Sequence, residues 1–144
     1  MCGIAGVAFF DHRHPFHHDR LRQMCDTIVH RGPDEQGLDI QDGVALGMRR
    51  LSIIDLSGGS QPIFNEDKSI RLVFNGEIYN YRELRADLIK KGHVFYTNTD
   101  TEAIVHAYEQ YGDDFPNYLN GMFAIALHDM TARKLYLVRV RSVG

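Results

Sequence analysis

Cysteine is scarce in this chain: among 144 residues only Cys2 and Cys25 carry a thiol. Two cysteines make no disulfide framework, which suits a reducing compartment. Long hydrophobic runs are missing too. No apolar stretch approaches the roughly 20 residues of a membrane span, and the N-terminus lacks a basic-plus-apolar signal peptide. These absences lead us to expect a cytoplasmic protein without a membrane partner. Positive charge is in deficit, with a net charge of −3 and no long basic run, so a nucleic-acid partner is not expected. Glycines gather at Gly58-Gly59 without the GxGxxG or GxxxxGK[ST] spacing, so no phosphate cradle is read there. No repeat or low-complexity segment is evident.

What is present suits one domain over 1–144, with a 44% hydrophobic fraction and enough length for a real core. Ile4 to Phe10 reads as a buried strand. A helix capped by Asp19 follows, with Leu21, Met24, Cys25, Ile28 and Val29 at i, i+3, i+4, i+7, i+8. Cys25 lies in that stripe and reads as a core thiol. His30 to Asp34 is a turn, and a strand is expected within Gly43 to Leu56. Ile70 to Phe74 is a further strand, and Asn75-Gly76 after it is first of all a turn signal. Asn80 with Glu83, and Thr99 with Glu102, have the spacing of capping boxes. They open two helices, closed by Gly92 and Gly112. His93 to Tyr96 is expected as a strand between them. Met122 to Asp129 and Lys134 to Val140 form a hairpin. Strands, helices and strands again suit α+β packing on antiparallel sheets.

The start of the chain carries its own chemistry. Loss of Met1 would leave Cys2 with a thiol and a free α-amine on one residue. Ordinary pKa values of about 8.5 and about 7.7–8.0 let the amine relay the thiol's proton near neutral pH. Such a nucleophile brings its own base. Other residues read two ways. Arg49 and Arg50 point to opposite faces of a strand, so at most one looks into a given cavity, towards a salt bridge or a ligand carboxylate. Asn75 and Gly76 make a turn, or offer two donors to an oxyanion. Asp100 favours a helix N-terminus, or meets a ligand's ammonium group. His12, His14, His17 and His18 crowd one segment without metal-ligand spacing and read as a solvated loop. No residue is assigned to a metal.

Several stretches together resemble one family: MCGIAGV at 1–7, HRGPD at 30–34, LGMRRLSIIDLSGG at 46–59, NGEIYNY at 75–81, NTDTE at 98–102 and LNGMFAIALHD at 119–129. Their order over nearly the whole chain is similar to the glutaminase domain of class II glutamine amidotransferases, in its asparagine synthetase B-like branch. HRGPD and RRLSIID resemble that branch, not amidotransferases acting on sugar phosphates or phosphoribosyl pyrophosphate.

The resemblance implies an N-terminal nucleophile hydrolase fold, an αββα sandwich of antiparallel sheets. It implies glutamine as substrate, hydrolysed to glutamate and ammonia. Cys2 would attack the side-chain amide, and Asn75 and Gly76 would hold the oxyanion. Arg50 would clamp the substrate carboxylate, Asp100 with Glu77 would receive its ammonium, and backbone around Leu51, Ile53 and Ile54 would line the pocket. No cofactor is implied for this step. ATP and magnesium belong to a synthetase domain, which is not found here. The final segment, Val138 to Gly144, lacks the aspartate of the family's ARDR-x-G stretch, and Met48 stands where a polar residue is usual. The domain is therefore expected to be incomplete at its C-terminus. That leaves two expectations. The chain supplies ammonia to a synthetase domain or partner subunit, or it is an inactive domain serving binding or assembly. Uncovered sheet surface would favour a homodimer.

Overall fold

The computed structural model describes residues 2–51 and 60–140. Its first sheet has three strands in the order β1-β3-β2: β1 (Gly3–Ala8), β2 (Glu35–Gln41) and β3 (Val44–Arg50). The second has the order β4-β5-β6-β7: β4 (Ile63–Phe64), β5 (Ile70–Ile78), β6 (Gly121–Asp129) and β7 (Lys134–Val140). Every strand pair is antiparallel, as composition and order imply.

Side-chain alternation decides how the layers stack. From β3, Val44, Leu46 and Met48 cluster with Val73 and Ala126 of the second sheet, so the even residues of β3 face it. Odd residues face α1 (His18–Asp26): a Cβ on Gly47 would lie 2.6 Å from Cys25 Sγ and 3.2 Å from Leu21. That contact requires glycine and confirms Cys25 as a core thiol. On β5 the even residues Ile70, Leu72, Phe74 and Ile78 join a larger core with α2 (Tyr81–Lys90) and α3 (Asp100–Tyr111). The layers are helix, sheet, sheet and helices.

At one end the two sheets are joined by a buried arginine. Arg71 is fully buried and its guanidinium donates to the carbonyls of Asp39, Gln41 and Val44 on the first sheet. It also pairs with the Asp39 carboxylate and donates to His128 Nδ1. Burial, then the neighbouring Arg71 charge, lowers His128 to about 4, so the ring is neutral and accepts.

The structure corrects the sequence reading in several places, among them the first helix, which ends at Asp26 before Ile28 and Val29. Glu35–Gln41 is a strand, although only the short alternation of Leu38 and Ile40 with polar neighbours marks it. Asn75-Gly76 is no turn: β5 runs through it to Ile78, with Asn75 opposite Ala124 and Gly76 opposite Phe123. His93 to Tyr96 is not a strand. The amides of Tyr96 and Thr97 donate instead to the buried carboxylate of Glu102. The N-cap of α1 is His17 and Asp19 sits in the first turn. Asn80 precedes α2 without capping it; its side chain bonds the backbone of Tyr118 and Asn120. Thr99 does cap α3, accepting from the Glu102 amide.

Candidate active site

The register of the first sheet aligns three residues. Gly3, the first residue of β1, pairs with Arg49, so the same register continued by one residue would set Cys2 alongside Arg50, and Arg50 pairs with Glu35 on its other side. Directly opposed residues share a face, and this is the face turned towards the second sheet. Arg50 Nη1 lies 3.3 Å from Glu35 Oε2, while Ser60 donates to Glu35 Oε1 at 2.7 Å. Arg49 points the other way. Its Nε and Nη2 donate to the carbonyls of Gly32 and Pro33. The adjacent arginines therefore take opposite faces, and Arg50 is the inward one.

The 30–34 turn serves this edge. Arg31 Nε donates to the Cys2 carbonyl at 3.1 Å, and the Asp34 amide donates to the Arg50 carbonyl. Gly32 has no room for a side chain, since a Cβ would sit 2.4 Å from the backbone of Arg49. Arg31 and Glu35 are thus positioning residues that sequence reasoning did not single out. The signal was the HRGPD stretch itself, which looked like a turn until its partners were visible. Cys2 is half-buried with a free thiol.

On the second sheet, Asn75 has the parity of Arg71 and Val73 and faces the first sheet. Arg71 touches Val44 at the start of β3, and Val73 packs with Leu46 and Met48. Continuing both strands brings Asn75 to the Arg50 and Cys2 end. Gly76 has φ +146° and its Cβ would meet the Met122 carbonyl at 2.1 Å, so only glycine fits. Glu77 is exposed beside it.

Asp100 opens α3 and its Oδ2 accepts from the Ile78 amide at 3.1 Å. Burial pushes its carboxyl above the ordinary range; the Ile78 amide opposes the shift and Glu77 adds to it. Leu51 is half-buried just past β3, whereas Ile53, Ile54 and Met1 lie outside the described residues. A cavity of about 350 Å³ opens at the other end of the sandwich, lined by Phe10, His12, Asp42 and His128 among others, and contains none of these residues.

Residues 1–143 match the glutamine amidotransferase domain family. The chain belongs to that family. This amidotransferase domain is 46% identical over 98% of its length to asparagine synthetase [glutamine-hydrolyzing] 2 of Bacillus subtilis, covering 19% of that protein. It is 40% identical over its full length to asparagine synthetase [glutamine-hydrolyzing] 2 of Oryza sativa subsp. japonica, covering 24%. The domain thus spans about a fifth to a quarter of these relatives. Among solved structures, the glutamine phosphoribosylpyrophosphate amidotransferase of B. subtilis aligns with a TM-score of 0.52 at 22% identity, over 63% of this chain and 22% of that one. That likeness shows a shared fold, the αββα sandwich of antiparallel sheets. Sequence likeness runs to the asparagine synthetases while fold likeness extends to the phosphoribosylpyrophosphate enzymes, in keeping with the HRGPD and RRLSIID stretches. Among the described residues no helix is long and apolar enough to cross a membrane.

Proposed function

We propose that this amidotransferase domain hydrolyses glutamine to glutamate and ammonia, with Cys2 as nucleophile once Met1 has been removed. The reading is supported by strand register: Arg50 pairs with Glu35 at the edge of the first sheet that Cys2 precedes, and Asn75 has the parity of Val73, which packs against β3. Glutamine is a zwitterion with a distal amide, and this end offers one complement for each part. Arg50, oriented by Glu35, binds the α-carboxylate. Asp100 and Glu77 receive the α-ammonium, and Leu51 walls the pocket.

The Cys2 α-amine takes the thiol proton and the sulfur attacks the amide carbon. The resulting oxyanion is held by the Asn75 side chain and the Gly76 N–H. The protonated amine then gives its proton to the departing nitrogen, leaving a thioester and ammonia. Water attacks the thioester, the thiol regains a proton, and glutamate leaves. The step needs no cofactor. We further propose that the ammonia serves an ATP- and magnesium-dependent amide-forming domain or partner subunit, with asparagine as the product that the relatives' names suggest.

Intact mass before and after treatment with an electrophilic glutamine analogue tests this reading. The expected result is a chain lacking one methionine that gains one adduct, abolished in Cys2→Ala. A retained Met1 with no adduct would instead support a non-catalytic domain for binding or assembly.

A further inference from the structure

A second polar cluster lies on the outer helical layer and includes none of the residues assigned to the glutamine site. Glu66 sits in the turn between β4 and β5, His93 follows α2, and His106 and Glu109 lie three apart on α3. Four ligand-type atoms, one from each residue, fall within 4.8 Å of one another. His106 Nδ1 is 2.7 Å from Glu109 Oε1 and 3.5 Å from Glu66 Oε1, and His93 Nδ1 is 3.9 Å from Glu109 Oε1. A tetrahedral zinc ion with bonds of about 2.0–2.2 Å sets its ligand atoms about 3.4 Å apart. The observed spread brackets that separation, and Glu66 is exposed enough to close on an ion.

The outer contacts are more specific than the cluster. His106 Nε2 faces Glu102 Oε1 at 3.4 Å, and His93 Nε2 faces Gln110 Oε1 at 2.9 Å. Both rings therefore have an oxygen acceptor on Nε2 and turn Nδ1 inward. Metal-bound histidines are held in this way, the second ring nitrogen donating to a carboxylate or carbonyl oxygen that fixes tautomer and orientation. Glu102 is itself immobilised by the amides of Tyr96 and Thr97 and by the Thr97 hydroxyl. Charge points the same way. Glu66, Glu102 and Glu109 all face the fully buried His106, more negative charge than one imidazolium neutralises.

We propose that Glu66, His93, His106 and Glu109 bind one zinc ion. Two neutral imidazoles and two carboxylates cancel the charge of a divalent cation and supply the mixed nitrogen and oxygen set that zinc accepts. Four protein ligands leave no open position, so the ion is a structural staple. It ties the β4–β5 turn and the segment after α2 to α3, the helix that begins at Asp100.

The test is a titration of the metal-free 144-residue chain with zinc chloride, in competition with a chromogenic chelator. One zinc per chain is expected. His93→Ala and Glu109→Gln should each weaken binding at least tenfold, and Gln110→Ala, which removes only an outer partner, by about ten- to a hundredfold. His14→Ala should leave binding unchanged. Circular dichroism checks that each variant folds, and Glu66→Gln, at an exposed position, supplies the comparison if another does not. Absence of stoichiometric binding would overturn the proposal. So would zinc that survives His93→Ala and Glu66→Gln, or zinc lost with the histidines at 12–18.

Discussion

The two ends of the sandwich are built from the same strands and opposite chemistry. At one end, Arg71 is fully buried and its guanidinium is fully engaged by carbonyls, Asp39 and His128. At the other, Arg50 is held by Glu35 beside a half-buried thiol and an Asn-Gly pair. Both arginines pair with an acidic residue of β2, yet one locks two sheets together and the other orients a surface that meets solvent. Burial makes the difference. A charge removed from water must be compensated in place, whereas one at the rim can serve a ligand.

Breaking the locked end should have the largest effect. Arg71→Met leaves Asp39 and several carbonyls without their donor, and breaking a buried ion pair by removing one partner costs about 3–5 kcal/mol. Urea unfolding should show that loss in its midpoint; a change under about 1 kcal/mol would mean the sheets do not depend on this residue. Asn75→Ala should act on rate and not on stability. Removal of one oxyanion donor costs about 2.7–4 kcal/mol of barrier, so kcat should fall roughly a hundred- to a thousandfold with the unfolding midpoint little moved. A normal kcat would remove Asn75 from the oxyanion site.

Arg50→Gln keeps a hydrogen-bonding side chain but not its charge. Hydrogen bonds to charged groups contribute about 1.5–3 kcal/mol, so KM for glutamine should rise roughly ten- to a hundredfold with a smaller change in kcat. Steady-state kinetics separates the two, and a pure kcat defect would assign Arg50 another part. The smallest effect belongs to His128. Its folded-state value of about 4 lies below the ordinary value near 6.5, so the unfolded chain takes up a proton that the folded chain refuses. Stability should therefore fall as pH drops from about 6.5 towards 4, by at most about 1.4 kcal/mol per unit for this one group. His128→Asn, which retains an acceptor for Arg71, should flatten that limb in urea midpoints taken at pH 7 and pH 5. An unchanged slope would show that another group carries it.

Which parts of this were legible beforehand follows the range of the interactions. The α3 cap at Thr99, the β6–β7 hairpin and the antiparallel character are local, and short-range patterns reveal them. The opposite orientation of Arg49 and Arg50 follows from strand alternation alone. The β2 strand was hidden because its two apolar side chains are few, and its stability comes from pairing along all of β3. Asn75-Gly76 misled for a related reason. A dipeptide that closes hairpins elsewhere is here stretched across a neighbour, because tertiary pairing overrides local preference and Gly76 leaves room for the Met122 carbonyl. The positioning parts of Arg31 and Glu35 could be recognised only from partners distant in sequence, and so could the His93 and His106 cluster.

One strand, β5, carries both Arg71 and Asn75, on the same face and four residues apart. That spacing works as a ruler whose zero mark is cemented into the far sheet. Deleting or inserting a single residue between them would turn Asn75 and every later side chain to the opposite face, while Arg71 stayed fixed. Descendants of this chain can therefore exchange side chains at Leu72 to Phe74 but cannot change their number. The evolutionary record of β5 should contain substitutions and no gaps.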